Sequence, residues 1–256
     1  MNLFRVTHQG TPRYGVAESF AEAQSQGVRL VEGDVFAGPP FQMSAQIKPD
    51  RILAPVTPSK VVAIGLNYKD HAAEMNKPLP SEPLMFMKPS TAVIGPEDAI
   101  RIPPGAGTVH HEAELGVVIG KLAHRVSPDK ALAYVLGYTC INDVTARELQ
   151  KRDIQYTRAK GFDTFAPLGP CVAIGLDPTE LDIESWVNGE KRQSSNTRQL
   201  IFSVREIIAF VSAVMTLLPG DVIATGTPSG VGPLVPGDRV TVKVAGIGEL
   251  SNPVIE

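Results

Sequence analysis

His111–Glu112–Ala113–Glu114–Leu115–Gly116–Val117–Val118–Ile119–Gly120 is the stretch on which the reading of this chain turns. After its acidic start it is apolar and β-branched, and Gly120 closes it, which predicts a strand. Side chains on a strand alternate faces, so Glu112 and Glu114 point the same way, about 7 Å apart. Gly116 and Val118 share that face. Two carboxylates aimed at a partly buried surface repel one another. They must be protonated, paired with Lys or Arg, or bridged by a cation. A third acid stands in a similar setting: Gly137–Tyr138–Thr139–Cys140–Ile141–Asn142 is another strand-like run, and Asp143 ends it. Three carboxylates with no thiolate partner suit a hard cation such as Mg²⁺ or Mn²⁺. The alternative is an exposed strand edge carrying solvated acids.

The rest of the composition narrows the class. The chain has 256 residues, 43% hydrophobic and 20% charged, enough for a substantial core and too apolar for global disorder. Its 23 Gly and 22 Pro are spread throughout, favouring short strands and many turns over a helical bundle. The net charge of −3 offers no general attraction to nucleic acid or to an anionic membrane. Cys140 and Cys171 both lie in apolar runs, so buried thiols are expected, with neither a disulfide framework nor a zinc pattern. The start carries Arg5 and His8 without a long apolar segment, and the apolar run 207–218 is too short to span a bilayer. A soluble cytoplasmic protein is expected.

Residues 1–57 are expected to form a small β-rich unit, with Asn2–Val6 and Arg13–Val16 paired as a hairpin across Gln9–Gly10–Thr11–Pro12, a short helix over 19–26, and a Pro-punctuated linker from Gly38 to Pro58. Residues 58–256 carry the chemistry. His71 and Glu74 are three apart on a predicted helical turn, where a carboxylate can fix the imidazole tautomer and raise its basicity. An ordinary solvated pair would look the same. The segment 76–83, polar and Pro-rich, reads as a cover over a site. Arg147 and Gln150, also three apart, can face one ligand, with the guanidinium offering a fork to a carboxylate. Arg147 could equally pair with Asp143 or Glu148. Lys160 serves either as a counter-ion to nearby acids or as an oxyanion stabiliser. His110 and His111 fit no zinc spacing and are expected to play structural roles. Pro128–Tyr134 reads as a short helix capped by Ser127. Asn188–Gly189 marks a hairpin. Ser203 and Glu206 form a capping box for a helix running to about Leu218, with Ile207, Val211, Val214 and Leu218 on its apolar face. The loop 226–232, with Thr227, is rich enough in Gly to bring backbone N–H groups to a small anion, but it lacks the ending of a nucleotide P-loop.

Six separated motifs stand in order along about residues 60–245: G-L-N-Y-x-x-H-x-x-E (65–74), F-M-K-P-S-T (86–91), H-H-E-x-E-L-G-V-V-I-G (110–120), N-D-V-T-A-R-E-L-Q (142–150), R-A-K-G-F-D-T-F-x-P-x-G-P (158–170) and G-D-V-I-A-T-G-T-P-x-G-V-G (220–232). Together they resemble the fumarylacetoacetate hydrolase family. The resemblance implies a β-rich mixed α/β fold of rolled, mixed β-sheets, a small N-terminal β-rich appendage, and assembly as a homodimer. It implies that Glu112, Glu114 and Asp143 bind Mg²⁺ or Mn²⁺, and that His71 and Glu74 activate water. It further implies that Lys160 stabilises an oxyanion, and that Arg147, Gln150 and Thr227 hold a small 2-oxo acid or dicarboxylate. The expected activity is hydrolysis of a carbon–carbon bond in an acylpyruvate or related 2,4-dioxo acid such as fumarylpyruvate. Oxaloacetate decarboxylation or tautomerisation and hydroxymuconate-type isomerisation use the same site, and a dicarboxylate-binding protein without turnover stands as a third reading.

Overall fold

The computed structural model describes residues 1–256. At its centre is the strand Ala113–Ile119, every residue of which is buried. It pairs antiparallel with Val135–Asn142 on one side, Ala113 opposite Asn142 and Leu115 opposite Cys140, and with Val222–Ala224 on the other. The sheet continues from Val222–Ala224 to a parallel neighbour, Lys60–Gly65, and then to Leu84–Pro89. In the other direction it runs through Ala166–Ala173 to Asn2–His8, Thr11–Ala17, Val28–Glu32 and Gln42–Ile47. This is a mixed, largely antiparallel sheet of 12 strands. A five-stranded and a three-stranded sheet pack around it. The expected β-rich mixed α/β fold is observed.

Strand alternation explains the layering. Leu115, Val117 and Ile119 face a large core that includes Ile207, Ile208 and Val211 of the helix Val204–Val214. Val118 turns the other way and packs with Val61, Ile141, Leu168, Val172 and Val222. Fully burying each such side chain is worth about 1.5–3 kcal/mol, so both faces of the central strand are strongly held in register. A one-residue slip would send Glu112 and Glu114 into the first core. Alternation therefore places the acids on the face where the cavity opens.

The first 57 residues contribute strands to the main sheet itself: Asn2 and Leu3 pair with Ala173 and Val172, and Phe4 and Leu3 enter the two cores. Gln9 and Gly10 both have positive φ, as a two-residue hairpin turn requires. Within the expected linker, Gln42–Ile47 is instead a strand paired with Val28–Glu32. The Asn188–Gly189 hairpin and the Ser203–Glu206 capping box are both present. The helix stops at Val214 rather than at Leu218, because Leu217 and Ala123 exchange backbone hydrogen bonds that draw the chain out of the helix. Val214 and Leu218 are consequently exposed, while Ile207 and Val211 are buried as expected. Pro128–Tyr134 is a 3₁₀ helix in which the Ser127 side chain makes no capping bond. Cys140 and Cys171 are buried free thiols. No helix is long and apolar enough to cross a membrane.

Candidate active site

Glu112 lies at the junction of Val109–His111 and Ala113–Ile119, where its backbone is clamped from the neighbouring strand. Its N–H donates to Asn142 Oδ1 at 2.9 Å, and its carbonyl accepts from the Asp143 N–H at 2.9 Å. Asp143 follows the strand that pairs with Ala113–Ile119, so the pairing register alone brings the third acid beside the first two. Carboxylate oxygens of Glu112, Glu114 and Asp143 lie within 4.8 Å of one another, and all three residues are buried.

Three cationic side chains converge on this triad. Lys160 Nζ donates to Glu112 Oε2 at 2.7 Å and to Asp143 Oδ2 at 2.6 Å. Arg147 pairs with Glu112 Oε1 at 2.6 Å, and its other terminal nitrogen donates to Gln150 Oε1 at 2.9 Å. Lys88, fully buried, donates to Asp143 Oδ1 and to the Val144 carbonyl. Burial would raise the Glu112 carboxyl, but Lys160 and Arg147 outweigh it and hold it well below the usual range. Glu114 has no such partner. Its only hydrogen bond is from the Gly226 N–H at 2.8 Å, and burial together with the charges of Asp143 and Glu112 pushes its carboxyl well above the usual range. A buried carboxylate facing two others without its own counter-ion, in an all-oxygen donor set, fits a divalent hard cation. Glu112, Glu114 and Asp143 are the residues that could hold it.

His71 sits on the helix Lys69–Glu74, its Nδ1 3.0 Å from Glu74 Oε2. Both ends of this helix are tied down. Asp70 accepts from the His71 N–H and from the Ser195 hydroxyl, and Glu74 Oε1 accepts from the Gly230 N–H at 3.1 Å. The Gly-rich loop does present N–H groups to anions, and the anions are the protein's own Glu114 and Glu74. The Thr227 hydroxyl donates to the Ala113 carbonyl at 2.9 Å and accepts from Gln193 Nε2 at 2.8 Å. One cavity of 640 Å³ is lined by all nine of His71, Glu74, Glu112, Glu114, Asp143, Arg147, Gln150, Lys160 and Thr227.

The sequence model for the fumarylacetoacetate hydrolase C-terminal region matches residues 60–255. This chain belongs to the fumarylacetoacetate hydrolase family. Among its relatives is a mitochondrial oxaloacetate tautomerase of Xenopus laevis, 44% identical over 80% of this chain and 68% of that protein. A 2-hydroxyhepta-2,4-diene-1,7-dioate isomerase from Mycobacterium marinum superposes with a TM-score of 0.91 at 40% identity, covering 100% of this chain and 98% of that one. The fumarylpyruvate hydrolase of Pseudomonas aeruginosa, solved with Mn²⁺ and pyruvate, gives a TM-score of 0.74 at 36% identity over 80% of this chain and 92% of the other. Members of the fumarylacetoacetate hydrolase family thus include a hydrolase, an isomerase and a tautomerase.

Three residues of the site escape sequence reasoning. Lys88 stands inside a family motif, yet only the fold shows that it reaches Asp143. Asn142 precedes Asp143 and fixes the Glu112 backbone. Gln193, on the strand Glu190–Asn196, is fully buried and bonds to His111, Ala113, Thr227 and Pro228. A polar residue in a polar strand carries no local sign of such a role. His111 is buried and lines no part of the cavity. Burial depresses its imidazole to about 4, only partly opposed by the bond to Gln193, so it is neutral at pH 7.

Proposed function

We propose that this protein is a divalent-metal-dependent hydrolase, working with Mg²⁺ or Mn²⁺, that cleaves the carbon–carbon bond of acylpyruvates and related 2,4-dioxo acids. The observation that carries the reading is the His71–Glu74 pair, held at 3.0 Å on the wall of the cavity that contains the acidic triad. When bound, the divalent cation would supply Lewis-acid polarisation of the 2-oxo group. Arg147, braced by Gln150, holds the substrate carboxylate through its guanidinium fork. Glu74 accepts a hydrogen bond from the His71 Nδ1–H, which leaves Nε2 as the lone-pair nitrogen that takes a proton from water. The water oxygen bonds to the 4-oxo carbon, and the Lys160 ammonium stabilises the oxyanion. The C3–C4 bond then breaks, its electron pair forming the enolate of pyruvate. The proton held on His71 returns to C3, releasing pyruvate and a carboxylic acid.

A second reading draws on the 44% identity to an oxaloacetate tautomerase. There the same base would take a C3 proton instead of a water proton, and no carbon–carbon bond would break. Turnover of acetylpyruvate, fumarylpyruvate and oxaloacetate, before and after chelation and with Mg²⁺ or Mn²⁺ restored, separates the two. Pyruvate plus an acid, formed only with metal, supports the hydrolase. Enol–keto conversion of oxaloacetate without cleavage of either dioxo acid replaces it with the tautomerase. His71→Ala is expected to lower turnover by about 10²–10⁴-fold, and undiminished turnover would remove His71 as the base. The reading includes a cytoplasmic homodimer, which the family resemblance supports and which sedimentation of the purified chain tests.

A further inference from the structure

The helix Lys69–Glu74 that carries His71 is only six residues long, too short to hold its place by helix propensity alone. Its N-cap residue, Tyr68, makes no side-chain capping bond. The chain enters it through Leu66 at φ +48°, in the left-handed region that leucine seldom adopts. Buried Asn67 pins that entry. Its side-chain amide donates to the Phe202 and Thr225 carbonyls at 3.1 and 2.8 Å, and accepts from the Phe202 N–H at 2.8 Å. A helix pinned at its root can still pivot about it.

Asp70 restrains the flank. Its Oδ1 accepts the His71 N–H at 2.7 Å, a first-turn donor that has no acceptor inside the helix. Its Oδ2 accepts from the Ser195 hydroxyl. Two bonds therefore run from the strand Glu190–Asn196 to the backbone of His71. Neither Asp70 nor Ser195 lines the cavity. Ser195 stands two residues beyond Gln193, so both side chains leave the same face of the strand, about 7 Å apart. Gln193 accepts the N–H of Ala113, which lies between Glu112 and Glu114. One strand face, in a sheet separate from that of the acidic strand, thus grips the acids at one position and the His71 helix at the next.

We propose that Ser195 is a positioning residue for His71: through Asp70 it sets the distance between the imidazole and the acidic triad, with the strand Glu190–Asn196 as the common ruler. This rests on the reading of His71 as the base. Substrate meets the same cavity walls whether or not the relay is intact, so the effect falls on turnover rather than on binding.

The test assays Ser195→Ala, Ser195→Thr, Asp70→Ala and the Ser195→Ala/Asp70→Ala pair as Mn²⁺-loaded full chains on acetylpyruvate, fumarylpyruvate and oxaloacetate. Ser195→Ala is expected to lower kcat by about 10–100-fold, the scale of a base displaced by up to 1 Å. KM should stay within about 2-fold, because ground-state contacts are untouched. Mn²⁺ affinity should be unchanged by calorimetry, and its stoichiometry counts folded sites, so unfolded protein cannot imitate a loss of kcat. Ser195→Thr restores the hydroxyl and should restore kcat. The double variant should fall no further than Asp70→Ala alone, as two members of one relay require. Unchanged kcat in Ser195→Ala, a loss that Ser195→Thr does not restore, or additive losses in the double variant would overturn the positioning role while leaving His71 as the base. Undiminished turnover in His71→Ala, or no turnover of the three substrates by the wild type, overturns the base reading and the relay with it.

Discussion

Replacing Gln193 with Met tests whether one buried amide holds the acidic strand to the Gly-rich loop. Methionine is nearly isosteric, so no large cavity confuses the result. The wild-type amide oxygen accepts the Ala113 N–H at 2.9 Å and lies 3.2 Å from His111 Nδ1. Its nitrogen donates at 2.8 Å to Thr227 Oγ1 and at 2.8 Å to the Pro228 carbonyl. Thr227 keeps its bond to the Ala113 carbonyl, but the Ala113 N–H and the Pro228 carbonyl are left without partners. Each buried orphan costs about 1–3 kcal/mol, so the pair predicts a loss of roughly 2–6 kcal/mol. At about 2–4 °C per kcal/mol for a chain of this size, the melting temperature should fall by roughly 5–20 °C. Ala113 separates Glu112 from Glu114, so loosening it should also weaken Mn²⁺ binding, read by calorimetry below the transition. Urea unfolding supplies the free energy. A loss under about 1 kcal/mol with unchanged Mn²⁺ affinity would refute the claim that Gln193 ties strand to loop.

Other perturbations follow from the same reasoning. Asp221 is buried and accepts from the Leu218 N–H, the Lys60 ammonium, and the Ser59 N–H and hydroxyl. Burial raises its carboxyl, but these donors outweigh burial and leave it below the ordinary Asp value. The unfolded chain therefore binds this proton first, and the stabilisation is complete above the ordinary Asp range and drains away as pH falls through the folded value. Asp221→Asn should lower the melting temperature at neutral pH and flatten its decline between pH 5 and pH 3 (roughly the carboxylate range); an unchanged acid limb would count against it. A Cβ on Gly137 would lie 2.4 Å from the Ala173 carbonyl oxygen, so Gly137→Ala should cost about 1–3 kcal/mol in urea unfolding. Glu114→Gln should abolish tight Mn²⁺ binding by removing one of three anionic ligands, with the fold retained by circular dichroism.

Much of this architecture is written locally. The Asn188–Gly189 turn, the Ser203–Glu206 box and the alternation from Glu112 to Ile119 depend on neighbours within a few residues, and each forms as expected. The acids were legible because two of them share a strand face by geometry alone. The gathering of His71, Arg147, Lys160 and Thr227 around them was legible only through the order of the family motifs, since no local rule links residues so far apart. Leu84–Pro89 shows where local reading fails. It exposes Leu84 and Met87 and buries Lys88, the reverse of what hydrophobicity directs, because Asp143 and the Val144 carbonyl offer the lysine partners that only the folded sheet brings near. Gln42–Ile47 was hidden for a related reason. Its composition is polar and its flanks are rich in proline, and it is a strand only because Val28–Glu32 is beside it.

The attachment of Asn2–His8 to the main sheet decides which edge that sheet presents. Ala166–Ala173 is buried along its whole length. Without the first 57 residues, its Val172–Ala173 end would become an open border, offering unpaired backbone groups and apolar side chains to any passing strand. With them in place, the border moves outward to Gln42–Ile47, where Gln42, Ser44 and Gln46 face water. The amino-terminal segment thus acts as a selvedge: it exchanges a sticky hem for a hydrophilic one, and a chain cut at residue 58 should keep its acidic triad while gaining an edge open to strand addition.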